Sequence, residues 1–146
     1  MPDAFIVRAA DWNLDENAIA AVRSAVFIVE QGVPEALEWE ALDPQYVWFV
    51  ALSSAGAVVG IVRLTQDGRI GRMAVLPDWR RRGVGQVLME RVLQSARELG
   101  LNEVHLSAQT HAIPFYARLG FIAEGLEYLD AGIPHRTMRL NLRDSA

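Results

Sequence analysis

The run Arg69-Ile-Gly-Arg72-Met-Ala-Val75-Leu-Pro77-Asp-Trp-Arg80-Arg81-Arg82-Gly83-Val84-Gly85-Gln86 decides how the rest of the chain is read. Arg69 to Leu76 reads as a strand, and Pro77, which cannot donate to a ladder, ends it. From Gly83 to Leu99 the residues Val84, Leu88, Val92 and Leu99 recur as an apolar stripe, with Gly100 placed as a left-handed C-terminal cap. Strand, short loop and long helix therefore follow one another. Glycine at 83 and 85 lets the backbone approach a ligand, and the helix start turns unpaired N–H groups and a positive dipole end outward. That corner suits a pyrophosphate, with Arg80, Arg81 and Arg82 as charge-assisted donors. The plainer alternative is a tight turn carrying solvated arginines, and the amphipathic helix that follows at once favours the anion site. A Walker A loop, G-x-x-x-x-G-K-S/T, is excluded because the chain has no lysine; a dinucleotide fingerprint would need Gly or Ala where Leu88 stands.

Upstream, Ala4 to Arg8 has β character, and Asp15 precedes a helical pattern of Ile19, Val22, Val26 and Val29 that closes at Gln31-Gly32. Val33 to Pro44 is a loop or short acidic helix. Tyr46 to Leu52, Ala57 to Leu64 and Arg69 to Leu76 form an antiparallel meander joined by turn residues. Downstream come a strand, Glu103 to Ala108, and a short helix from Pro114 to Leu119 ended by Gly120. Two last strands, Phe121 to Tyr128 and Arg136 to Leu142, are joined through Asp130 to His135. This order predicts a mixed α/β (α+β) sandwich.

The 146 residues, 51% hydrophobic, suffice for one domain spanning 1–146 with one packed core. No apolar run reaches membrane-spanning length and the start has no signal-like core, so a soluble cytoplasmic protein is expected. Without cysteine there is no disulfide, thiolate metal site or cysteine nucleophile, and no three of Asp, Glu and His show metal-ligand spacing. A net charge of −4 argues against nucleic acid as a partner. The charge is split along the chain: no Lys or Arg lies between Arg23 and Arg63, where Glu30, Glu35, Glu38, Glu40 and Asp43 collect. Arginines crowd the following third. One end thus looks built for a cation and the other for an anion, although an acidic run is more often a solvated face.

Met73-Ala-Val75-Leu-Pro77 followed by Arg80-x-x-Gly83-x-Gly85 resembles motif A of the GNAT N-acetyltransferases. Ile113-Pro-Phe-Tyr116-Ala-Arg-Leu-Gly120-Phe121 resembles the second signature of that superfamily. Val26-Phe-Ile-Val-Glu30-Gln31, Ala108-Gln109 and Gly132-Ile-Pro-His135-Arg-x-Met138 are similar to its ElaA-like branch. The resemblance implies a mainly antiparallel sheet of six or seven strands with about four helices. It also implies a splayed parallel pair formed by Arg69 to Leu76 and Glu103 to Ala108. Coenzyme A pantetheine would enter the splay and pair with backbone near Met73, Ala74 and Val75, its pyrophosphate lying on Arg80 through Gln86. The implied reaction moves an acetyl group from acetyl-CoA to a small-molecule primary amine.

By the same resemblance Tyr116 is the general acid, and the chemistry suits it, since a phenol with an ordinary pKa of about 10 is protonated at neutral pH and can supply the leaving thiolate. Packing beside Phe115 and Phe121 is its structural alternative. An alkylammonium is deprotonated only to about one part in a thousand at pH 7, so a base would help. Glu30, at the end of the first helix, is the first candidate and His111 the second. His105, mid-strand, and His135, in a polar loop, are read as structural or substrate-lining. Two other functions stay open: a non-catalytic acyl-CoA-binding regulatory module, and acetylation of a protein N-terminus or lysine. A homodimer is compatible with all of them.

Overall fold

A computed structural model describes residues 4–34, 39 and 43–143. Its elements are β1 (Phe5–Ala9), α1 (Trp12–Arg23, continued by π-helical turns over Ser24–Glu30), β2 (Val47–Ser53), β3 (Val58–Leu64) and β4 (Arg69–Val75). Then follow α2 (Val84–Glu98), β5 (Glu103–Gln109), α3 (Ile113–Arg118), β6 (Ile122–Asp130) and β7 (Ile133–Asn141). One seven-stranded sheet runs β1-β2-β3-β4-β5-β7-β6, and β4 with β5 is its parallel pair. The expected mixed sheet with a parallel pair is thus present, with three α-helices among the described residues.

Helices cover the two halves of the sheet unequally. α2 buries Val84, Leu88, Met89, Val92, Leu93 and Ala96 against one face, in a core that reaches from Phe49 to Met138. α1 buries Ile19 and Val22, with Val26 of its π-helical end, on the opposite face, against Trp48, Val50, Ile61 and Ala74 of β2, β3 and β4. No described helix covers that second face over β5, β7 and β6. There the strand alternation sends Val104, Leu106, Ala108 and Met138 into the core, and His105, Ser107, Gln109, His135 and Thr137 to the open side.

Four local expectations are corrected. α1 starts earlier than expected: Asp11 is the N-cap, its carboxylate accepting from the Asn13 N–H at 3.0 Å. Asp15 sits inside the first turn, buried, because Arg8 of β1 grips both its oxygens at 2.7 and 2.9 Å. Val29 is 78% exposed, since the π turn, with Gln31 N–H bonded to the Val26 carbonyl at 3.0 Å, breaks the ordinary helical phase. Leu99 is exposed as the C-cap of α2, and Leu101, past the Gly100 turn, packs on the core instead. Finally, the last two strands run on to Asp130 and from Ile133, leaving only Ala131-Gly132 as the turn. Both turn residues have positive φ (52° and 77°), as a type I′ two-residue hairpin requires.

Candidate active site

The parallel pair holds together only at its start. Arg69 and Ile70 stand opposite His105 and Leu106, and beyond them β4 and β5 have no cross-strand register. A β-bulge helps to turn β4 away. Arg72 and Met73 together stand opposite Val62, between the Ile61–Ala74 and Arg63–Gly71 pairs, and Arg72 takes φ 49°. The edge of β4 from Gly71 to Val75 is thereby left without the strand partner a closed sheet would give it.

The splay opens into a cleft of about 890 Å³. Met73, Ala74, Val75, Arg80, Arg81, Gly83, Val84, Gly85 and Gln86 line it, as do Glu30, His111 and Tyr116. The fold therefore brings to one cleft nearly every site residue expected from the sequence. Arg82 is not among the lining residues; its guanidinium lies over the Trp79 ring, 5.1 Å from the centroid. At the corner Gly83 is the N-cap of α2 with φ 82°, a conformation costly for any residue with a Cβ. A Cβ there would meet nothing within 4 Å, so the space in front of the α2 N-terminus is open. Arg81 beside it also has positive φ (64°), and strain of this kind gathers at ligand sites. An open glycine corner, unpaired helix-start N–H groups and flanking arginines fit a pyrophosphate.

Tyr116 is wedged at the far wall. Its ring packs edge-on against Phe115 (centroids 5.1 Å apart) and Phe121 (6.0 Å), so the packing expected as its structural alternative is present while the residue also lines the cleft. Burial pushes its pKa up to about 12, so the phenol carries its proton throughout the neutral range.

Glu30 reaches the cleft from the end of α1, where Arg80 grips it with both terminal guanidinium nitrogens at 2.7 and 2.6 Å. Arg80 also donates through Nε to the Val75 carbonyl at 2.9 Å. It thus bridges the end of β4 to the end of α1. This hydrogen-bonded partner holds the Glu30 carboxyl below its ordinary range, which makes Glu30 a weak base. His111 lies exposed on the short turn Thr110–Ala112.

The acidic run does not act as one. Asp43 is 3% exposed and bonded to Arg23 Nη1 at 2.8 Å and Arg63 Nη1 at 3.0 Å, so it faces the core and not a cationic ligand. Glu35, Glu38 and Glu40 lie outside the described residues. Trp48 is core, and the Arg23 guanidinium lies over the Trp39 ring, 4.6 Å from its centroid.

The sequence assigns no role to Gln31, Ser107 and Gln109, which line the cleft, whereas His135, read as structural or substrate-lining, is among the lining residues. Gln31 and Gln109 bond to each other at 2.9 Å between α1 and β5. The Tyr128 hydroxyl bonds Ser107, and its ring stacks on His135 at 6.1 Å. His135, expected in a polar loop, is a buried residue of β7 that lines the cleft. Its pairing opposite Gln109 would have been legible had the turn been placed at Ala131-Gly132.

Comparison with known proteins agrees with this geometry. Residues 11–142 match the family described as acetyltransferase (GNAT) domain. An uncharacterized N-acetyltransferase of Bacillus subtilis, YjcF, is 36% identical over 120 residues, covering 80% of this chain and 86% of its own. An acyl-CoA N-acyltransferase of Pseudomonas aeruginosa superposes with a TM-score of 0.81 at 32% identity, covering 93% of this chain and 99% of its own. Escherichia coli ElaA superposes with a TM-score of 0.82 at 26% identity, with the same coverage of both chains, 93% and 99%. With the family match spanning residues 11–142 and a relative 36% identical over most of both sequences, the chain belongs to the GNAT family of acetyltransferases.

Proposed function

We propose that the chain carries an acetyl group from acetyl-CoA to a primary amine of a small molecule by direct attack, with Tyr116 as general acid. One observation carries this reading: the glycine corner, the open β4 edge and a protonated phenol line the same cleft. The α2 start and Arg81 would hold the pyrophosphate, and the backbone of Met73, Ala74 and Val75 would pair with pantetheine. The thioester supplies the activated acyl carbon. Tyr116 then gives its proton to the departing sulfur. Glu30 serves better as an anchor for the ammonium group of the acceptor than as its base, because its carboxylate stays ionised.

A CoA-release assay over a panel of primary amines, with a protein-peptide arm, tests the reaction class. Turnover with an amine is expected. CoA bound without release on any acceptor would favour a regulatory module, and release on peptides alone would favour a protein acetyltransferase. Tyr116→Phe should lower turnover by about 10²-fold while leaving acetyl-CoA affinity unchanged, as calorimetry would record. Among the described residues no helix is long and apolar enough to cross a membrane.

A further inference from the structure

The acceptor must lose a proton before its nitrogen can attack, and Glu30, held ionised by Arg80, is poorly suited to take it. His135 has the geometry that this step needs. It sits on β7, between β5 and β6, with Gln109 opposite on one side and Tyr128 on the other. The residue belongs to the row that alternation turns to the open face of the sheet, and it lines the cleft shared with Glu30 and Tyr116.

Its ring is fixed twice. Nδ1 lies 2.6 Å from the carbonyl oxygen of Ile133. A carbonyl only accepts, so the proton of a neutral ring belongs on Nδ1, and the lone pair is left on Nε2. The Tyr128 ring stacks on the imidazole with an interplanar angle of 20°, and Tyr128 is itself tied by its hydroxyl to Ser107 on β5. Among the described residues Nε2 takes no hydrogen-bond partner. His135 is 7% exposed and lines the cleft that Glu30 and Tyr116 also line. An imidazole with its tautomer set by a backbone carbonyl, on a strand paired along both edges, is how a general base is held ready.

We propose that His135 is the general base of the reaction, its Nε2 taking the proton of the acceptor ammonium directly or through one water. The proposal rests on the reading of the chain as an amine acetyltransferase. The proton balance is as follows. His135 accepts the first proton from the ammonium and passes it to solvent. The freed lone pair forms the N–C bond as the C–S bond breaks. Tyr116 gives one proton to sulfur and recovers one from the second proton shed by nitrogen. Each turnover thus releases one proton, one amide and one free thiol, with no oxidant or reductant involved.

The test separates proton removal from a structural role by using two acceptors that differ in basicity, ethylamine and 2,2,2-trifluoroethylamine. The first is almost wholly protonated at neutral pH, whereas fluorine withdrawal leaves the second largely as free base. His135→Asn can still donate from its amide to the Ile133 carbonyl but has nothing at the Nε2 position. Its kcat/KM for ethylamine should fall by about 10²-fold or more, and for trifluoroethylamine by less than about threefold. Equal losses with both amines would overturn the base role while leaving the transferase reading in place. No turnover by the wild-type protein with any amine would overturn that reading and the proposal with it. Because His135 is buried, His135→Gln serves as a second variant with the same expectation, and calorimetry with acetyl-CoA checks that each still binds. Nitrogen-15 NMR of the wild-type protein gives an independent readout: a neutral ring protonated on Nδ1 supports the proposal, and one protonated on Nε2 overturns it.

Discussion

Asp43 and Glu30 come from the same stretch without Lys or Arg, both are carboxylates, and both are held by arginine. Their surroundings differ. Asp43 is clamped by Arg23 and Arg63 beneath Trp48, whose indole N–H donates to the Asp43 carbonyl oxygen at 2.9 Å, and the side chains of both arginines are 1% exposed. Glu30 is clamped by Arg80, its one ion-pair partner among the described residues, with side chains 40% and 38% exposed. A buried charge cannot lose its partner cheaply, because water is not there to replace it. An exposed pair exchanges partners with ligand or solvent at little cost. The first ion pair therefore belongs to the fold, and the second is free to belong to the reaction.

The largest effect that could break this contrast is at Asp43. Asp43→Ala should lower the unfolding free energy by about 3–5 kcal/mol, by removing the buried carboxylate that two buried guanidinium groups share. Urea denaturation measures it, and a loss below about 1 kcal/mol would place Asp43 with the exposed pairs. Glu30→Gln should instead cut kcat/KM for the acceptor by about tenfold and change stability by less than about 0.5 kcal/mol. If steady-state kinetics show no change on any acceptor, Glu30 is a surface partner of Arg80 and no more. Salt sharpens the difference at a smaller scale. Raising ionic strength to about 0.5 M should erase whatever stability difference Glu30→Gln shows and leave that of Asp43→Ala nearly intact.

The smallest expected effect is in acid. Arg80 lowers the Glu30 pKa and Arg8 lowers that of Asp15, so each stabilises the fold above the pKa of the unfolded chain. That contribution is lost as pH falls through the folded value, which lies under the ordinary carboxylate range of about 4. Acid titration of unfolding should show stability falling there, slightly less steeply in Glu30→Gln. At the other extreme, Tyr116 stays protonated in the fold up to about pH 12, whereas the unfolded phenol ionises near 10. Stability should therefore drop as pH rises through that window, and Tyr116→Phe should remove part of the drop.

The sequence by itself determined the elements whose signals are local. Gly83-x-Gly85 between a proline-stopped strand and an amphipathic helix, the meander turns and the Pro114 to Gly120 helix needed no knowledge of distant residues. The anion corner of Arg80 to Gly85 followed from those signals, whereas Met73, Ala74, Val75 and Tyr116 came from the resemblance to the two motifs of the family. Tertiary structure decided the rest. Grouping Glu30 with Asp43 as one acidic surface was reasonable in one dimension, but Asp43 meets Arg63 only when β3 comes under the turn that carries it. The π turn that breaks the α1 phase, the bulge at Arg72 and the grip of Arg8 on Asp15 likewise have no local signature. His135 was placed in a loop because its pairing with Gln109 and Tyr128 depends on strand register set far away in the chain. A charge or an imidazole takes its role from what surrounds it, and only the folded chain supplies those surroundings.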